Sequence, residues 1–477
     1  MTLDSSLKSR TNQVLLALGF CAIALALWKF IPHPAVAVVI GLVPIAIIVT
    51  LRAPLIMVVF FVAFSFFRLH EAIEQLMPLK IPLLLSLGAF AGLGWGIFFT
   101  KSIKTWWTKE MTLLIVFFGL VVIGMIVSPS RAESMEFFKN VYWKIILMTF
   151  AIAWLIRKRN DFKLLTRVML LSGAVIALKT HFNKINGIDL IEETRVTIGR
   201  ELGSVLGDPN DLALVLMFPM AFAVAMVITP NASKLWRFLG IVIMVLLFSA
   251  VLATQSRGGL LGIMGVFGVF AYRRMKSKIL FFTAGAIAAV VLYAAAGISG
   301  RSSGGAAEEG LDASAEGRLW AWEAAVGMAL HRPITGVGVA SFYYNYYAFS
   351  PHWDGKPHAV HSTWFGVLAE TGIVGFAVFI TFIISLGKKA YRTLLLTEKH
   401  LARCGPDIYI SAQAAYAGLV GTAISATFLT HGFLWPFYIL GALIMAGHHA
   451  VERIVQNTKN AGCSLDLRDA NQTAKTL

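Results

Sequence analysis

The sequence predicts an all-α polytopic membrane protein of about 12–14 transmembrane helices, with one large periplasmic loop carrying short interfacial helices. Three observations carry this expectation. Of 477 residues, 57% are hydrophobic and only 14% are charged, with a mean hydropathy of +0.74; a soluble chain is richer in charge. The apolar residues gather in runs long enough to cross a bilayer. Lys and Arg, finally, are shared unevenly between the two ends of those runs.

The runs centre on residues 13–31, 34–51, 53–67, 81–100, 111–127, 141–156, 163–180, 210–228, 236–254, 257–272, 279–297, 363–387, 409–429 and 432–449. Residues 34–67 can instead form a re-entrant pair, which accounts for the lower count. Either even number leaves both termini on one side. Lys8 and Arg10 before the first run resemble a signal peptide. No small-x-small cleavage site follows, and Phe20 before Cys21 argues against a lipoprotein site, so the run is expected to remain as the first helix. With a cytoplasmic N-terminus, most of the 41 lysines and arginines lie inside, among them Lys101, Lys104, Arg157, Lys158, Arg159, Arg273, Arg274, Lys388 and Lys389. Acids outnumber bases outside. This is the positive-inside pattern. It divides the chain into N-terminal helices (1–297), a large periplasmic loop (298–362), C-terminal helices (363–449) and a cytoplasmic tail (450–477), the polar part after Arg453 expected to be disordered.

The net charge of +16 belongs to cytoplasmic loops that meet anionic lipid, and it implies no nucleic-acid partner. Cys21, Cys404 and Cys463 stand far apart, without metal or redox spacing, and on this topology no disulfide is expected. Three features share the outer face: the loop 181–209, the tight turn at Arg257, and the stretch 298–362. The last opens with the Gly/Ala/Ser-rich RSSGGAAEEGLDASAEG, whose composition predicts mobility. RLWAWEAAVGMAL follows and reads as a short interfacial helix with its tryptophans at headgroup depth.

The candidate chemistry lies in these outer segments. Arg257 is the single charge in LLFSAVLATQSRGGLLGIMGVFGVF. It can snorkel to lipid phosphates, or it can hold a phosphate ligand at the membrane surface, with Gly258 and Gly259 opening the backbone to close approach. In TRVTIGRELGSVLGDPNDLALVL, Asp208 or Asn210 can cap the helix that starts near Asp211, with Pro209 in the turn before it. Arg195 and Arg200 either pair with Glu192, Glu193 or Glu201, or grip phosphate bidentately, which arginine does better than lysine. In KPHAVHSTWFGVLAETGIVG, His358 and His361 lack companion carboxylates or cysteines at metal spacing, so no metal is expected. His361 stands where the long loop re-enters the membrane. It can be a hydrogen-bonded interfacial residue or a general base, the latter typically worth ~10²–10⁴ in rate. His70, His181, His352, His431, His448 and His449 read as structural or surface residues. No nucleotide-phosphate loop, Asp-x-Asp pair or serine-nucleophile motif is present. An enzyme with these residues needs no cofactor if its donor is already activated and membrane-bound.

The ordered set of motifs resembles the O-antigen ligase and polymerase superfamily of bacterial inner-membrane glycosyltransferases, over about residues 190–390. The elements are Arg200-x-x-Gly ahead of Asp208-Pro209-Asn210, the Ser256-Arg257-Gly258 turn, and Gly317-Arg318-x-x-x-Trp322. Pro333-Ile334-Thr335-Gly336-Val337-Gly338 and Ala359-x-His361-Ser362 leading to Glu370-x-Gly372 complete the set. GDPNDLAL and SPSRAESMEFFKNVYWK look most like the exosortase-associated O-glycosylation ligases. The resemblance implies a periplasmic transfer of a glycan from undecaprenyl diphosphate to an acceptor hydroxyl on lipid A-core or a protein. By that resemblance Arg200, Arg257 and Arg318 bind the diphosphate and His361 is the base. Arg195, Asn210 and Glu370 are secondary candidates. Ser362 stands where many relatives carry Asn, which bears on how His361 is oriented. A polymerase of the same superfamily shares donor, side and motifs. A lipid or anion transporter is the reading from another class, and it would more often show repeated halves, midplane charges or broken helices.

Overall fold

The computed structural model describes Gly19 and residues 47–295, 313–353 and 355–473. The rest of the first apolar run, Cys21, most of the second run and the 301–312 part of the Gly/Ala/Ser-rich stretch lie outside the described residues. In chain order the α-helices are α1 (Pro54–Phe66), α2 (Leu69–Ala72), α3 (Ile81–Gly94), α4 (Lys109–Ile126), α5 (Arg131–Phe137), α6 (Trp143–Leu155), α7 (Arg159–Asn186) and α8 (Pro209–Ile228). They continue as α9 (Lys234–Thr254), α10 (Arg257–Arg274), α11 (Lys278–Ala295), α12 (Ala313–His331), α13 (Phe342–Phe349), α14 (Thr363–Lys399), α15 (Leu401–Ser425) and α16 (Trp435–Thr473). A two-residue antiparallel hairpin, β1 (Leu190–Ile191) with β2 (Arg195–Val196), lies between α7 and α8.

The protein is an all-α polytopic membrane protein. Among the described residues, five helical stretches are long and apolar enough to cross a bilayer: Gln75–Phe99, α4, α8, α9 and α14. Large apolar side chains also face outward in rows, such as Leu235, Phe238, Ile241 and Val245 on α9 and Ile279, Phe282, Val290 and Val291 on α11. Apolar patches of this extent are stable against lipid and not against water. By contrast α8 is apolar all round and 83% of its membrane-length window is buried, inside α7, α9, α10 and α15. This central helix fixes its own N-terminus, and the site residues there, at one end of the bundle.

Several expected boundaries moved. The run at 141–156 is preceded by α5 and a π-helical turn, Phe138–Tyr142, so the chain is already helical from Arg131. The interfacial helix is α12, and its Ala321, Ala324, Ala325 and Met328 are buried against α13 and α14. Small residues at this helical spacing let α12 lie close on its neighbours. Trp322 accordingly stacks on Phe365 at 4.8 Å between ring centres and does not serve as a free membrane anchor. Helix α16 continues to Thr473 past the polar residues that predicted disorder, because extending a packed helix is cheaper than nucleating one.

Helix α14 is broken at Gly372, where φ is 68°. The Pro333–Gly338 loop fills the break. Ile373 N–H donates to the Pro333 carbonyl (2.7 Å), Val337 N–H to Ala369 (2.9 Å) and Gly338 N–H to Glu370 (3.2 Å). A Cβ on Gly372 would meet the Pro333 carbonyl carbon at 2.7 Å. Gly372→Ala is therefore expected to cost about 1–3 kcal/mol, from left-handed backbone and backbone collision together. A fall in the thermal midpoint of the detergent-purified protein checks it. The serines of SPSRAES complete the loop's support: Ser128 Oγ donates to Val337 O (2.6 Å) and Ser134 Oγ to Val339 O (2.7 Å).

Candidate functional site

Three helix N-termini meet at one end of the bundle. Helix α8 is capped by Asp208, whose Oδ1 accepts from Asn210 N–H (2.7 Å) and Asp211 N–H (3.4 Å), with Pro209 as the first helical residue. Helix α10 is capped by Ser256, whose Oγ accepts from Gly259 N–H (3.1 Å). Helix α14 begins after His361 and Ser362. Side chains tie the three ends together. Ser256 Oγ–H donates to Asn210 Oδ1 (2.7 Å), joining α10 to α8. His431, in the turn between α15 and α16, lies with Nε2 2.7 Å from Asp211 Oδ1. Its N–H also donates to Thr363 Oγ1 (2.9 Å), joining α8 to α14. The first-turn amides and aligned dipoles of such ends favour an anion.

His361 is held from both sides. Its φ of 43° places it in the left-handed region, uncommon for a residue other than glycine. Before it, the Val360 carbonyl accepts from Trp322 Nε1 (3.1 Å). After it, Thr363 Oγ1 donates to Leu429 O (2.7 Å) and Trp364 Nε1 to Thr427 Oγ1 (3.1 Å). The ring is exposed by area, yet enough protein surrounds it to lower its pKa below the ordinary histidine value. Partial desolvation is the largest cause and the neighbouring Arg318 guanidinium the next, while Asp208 and Asp211 oppose them and His358 adds a small lowering. The neutral, proton-accepting form therefore persists to lower pH than in a free imidazole. Ser362 is fully buried, and its hydroxyl has no partner among the described residues.

The arginines divide into two groups. Arg257 is the exposed first residue of α10, and Arg318 is half-buried on α12. Phe428 neighbours both segments: the Arg318 guanidinium carbon is 6.0 Å from its ring, and Phe428 packs against Gly258, the residue after Arg257. Arg200 is exposed, bonds the Gly207 carbonyl (3.1 Å) and packs its backbone on Gly207, the residue before the Asp208 cap. Arg195, in contrast, is only 8% exposed and reaches Thr254 O (3.3 Å) and Asn210 Oδ1 (3.4 Å). It braces the β-hairpin against the α9–α10 turn, as does Thr194 Oγ1 on Gln255 Oε1 (3.0 Å).

Two sequence expectations need correcting. Gly258 and Gly259 do not open the backbone to a ligand. Both are buried, and a Cβ would meet Phe428 at the first and Ala213 at the second, so they serve close helix packing. Glu370 does not join the His361 cluster. Only 7% exposed, it accepts from Ala340 N–H (3.0 Å) and Phe342 N–H (3.1 Å), fixing the loop and the start of α13. Conversely, Asp211, Phe428 and His431 belong to the cluster without having been singled out for it. From the sequence, His431 reads among the structural or surface histidines.

Residues 242–380 match the family model described as O-antigen ligase. That segment is similar to the O-antigen ligase family. No curated protein matches the chain. The O-antigen ligase segment runs from within α9 to within α14, so it contains Arg257, Arg318, His361 and Glu370. Arg195, Arg200 and Asn210 precede it and reach the site through the α8 N-terminus and the hairpin.

Asp211 is expected to act on His361 through space. Asp211→Asn removes a charge that raises the imidazole pKa. With His361 as a general base, the acid limb of kcat/KM should then move to lower pH, and kcat should fall roughly tenfold for want of the counter-charge to an imidazolium. A pH–rate profile of the purified variant measures both.

Proposed function

We propose that this protein transfers a glycan from undecaprenyl diphosphate to an acceptor hydroxyl at the periplasmic face of the bacterial inner membrane, without a metal. The observation that carries the reading is the juxtaposition of a pKa-lowered His361 with Arg318 over the joined ends of α8, α10 and α14. His361 takes the proton of the acceptor hydroxyl as its oxygen attacks the anomeric carbon. The bond from that carbon to the diphosphate oxygen breaks, its electron pair leaves with undecaprenyl diphosphate, and the anomeric configuration inverts. Arg200, Arg257 and Arg318 hold the diphosphate and the charge it gains; one such contact typically contributes about 3–4 kcal/mol of transition-state stabilisation. The acceptor is lipid A-core or a protein, the latter as in the exosortase-associated ligases that the GDPNDLAL wording resembles.

A polymerase of the same superfamily uses the same site with a second lipid-linked glycan as acceptor. Transport is disfavoured by a specific observation. Helix α14 is broken, but the freed backbone groups are taken by the Pro333–Gly338 loop and do not line a path for a solute. Deleting the gene in its host and comparing lipopolysaccharide, exopolysaccharide and glycoproteins tests the reading. Long chains missing from lipid A-core or one protein class, with free lipid-linked polymer accumulating, identify a ligase and its acceptor. Single repeat units still attached identify a polymerase. Unchanged glycans in all three fractions would overturn glycan transfer.

A further inference from the structure

A second charged site lies at the opposite end of the bundle. Helix α8 runs 20 residues from the Asp208 cap to Ile228, about 30 Å at the helical rise, close to the thickness of a bilayer core. Beside its far end is a cavity of about 320 Å³, lined among others by Arg159, Lys163, Arg167, Ser233, Trp236 and Asp407. The three cations are successive i, i+4 neighbours on one face of α7, an arrangement that repels itself unless a counter-charge is present. Asp407 is the single acid lining the cavity, and it pairs with Arg159 at 3.1 Å. Lys163 has no ion pair among the described residues, and Arg167 lies over the Trp236 ring at 4.7 Å. On either side of Trp236, Leu235 and Phe238 face outward, 64% and 62% exposed.

We propose that this cavity binds the phosphate headgroup of an anionic phospholipid in the leaflet opposite His361. Lys163 and Arg167 supply the charge, with Ser233 beside them as a hydroxyl donor. Trp236 marks headgroup depth, and Leu235 and Phe238 continue as an apolar surface along which acyl chains lie. Basic cavities between membrane helices on the positively charged side suit such headgroups, and the loops at this end are the ones the positive-inside pattern makes cytoplasmic. A free phosphate would satisfy the cations but would leave the apolar flank unused.

Native mass spectrometry of the full chain, released from nanodiscs of phosphatidylcholine with phosphatidylglycerol, tests this. Wild type is expected to retain phosphatidylglycerol, and the Lys163→Gln/Arg167→Gln variant to retain it roughly ten- to thirtyfold more weakly. A Lys276→Gln/Lys278→Gln control, of equal charge change, should retain it as wild type does. Ala232→Trp, which fills the cavity and keeps every charge, should also displace the lipid. A parallel thermal-shift titration with inorganic phosphate separates the sources. Stabilisation by phosphate in wild type but not in the Gln/Gln variant, without lipid retention, would keep the anion site and replace the lipid by a soluble phosphate. Equal phosphatidylglycerol retention in wild type, the Gln/Gln variant and Ala232→Trp would overturn the proposal.

Discussion

His361→Ala is expected to lower the transfer rate by at least ~10², and toward ~10⁴ if proton removal limits the step. The folded protein should persist in the membrane, because the ring is exposed by area and the backbone on either side is held by Trp322, Thr363 and Trp364. The variant should therefore purify in normal yield and fail to complement a deletion. In the active enzyme, the lowered pKa means that neutral imidazole dominates at neutral pH. With His361 as the base, activity is expected to fall as pH drops through that lowered value, when the ring becomes protonated and can no longer accept the acceptor's proton.

The arginine variants carry the second large effect. Arg257→Ala and Arg318→Ala should each cost about 10²–10³ in kcat, the usual consequence of losing one preorganised contact to developing charge. Their pH profiles should differ. Arg318 lowers the His361 pKa, so its removal raises that pKa and moves the acid limb to higher pH. The largest influences on that pKa are burial, Arg318, Asp208, Asp211 and His358, so the Arg257 variant should lose rate with a smaller movement of the limb. Matching rate losses with matching limbs would show that Arg318 does not face the imidazole in the working enzyme.

Helix placement was legible where charge or a turn residue ends an apolar run. The runs at 210–228 and 236–254 correspond to α8 and α9 with shifts of one or two residues, since Asp208-Pro209 starts one and Lys234 the other. Legibility failed where helices leave the apolar zone. Helices α7 and α14 continue through charged residues to 28 and 37 residues in all, because hydropathy reports where lipid would be and not where the backbone stops turning. The candidate site was legible as residue types on one face. Its internal divisions were not, because they depend on which helix each residue packs against. Arg195 and Arg200 are five apart in one loop, yet one is buried as a brace and the other exposed beside Gly207. Glu370 reads as a site carboxylate until the Pro333–Phe342 loop is seen to aim two backbone N–H donors at its carboxylate. The Asp211–His431 pair joins residues 220 apart in sequence, and no local motif announces it.

The central claim is that a lipid diphosphate is the leaving group and His361 the base. Purified full-length protein in nanodiscs, given an undecaprenyl-diphosphate-linked glycan and an acceptor, tests both in one assay of undecaprenyl diphosphate release. One undecaprenyl diphosphate should appear for each glycan transferred by wild type, and His361→Ala should bind the donor but release it at least a hundredfold more slowly. Release by His361→Ala at the wild-type rate, or glycan transfer without release of undecaprenyl diphosphate, would contradict the assignment.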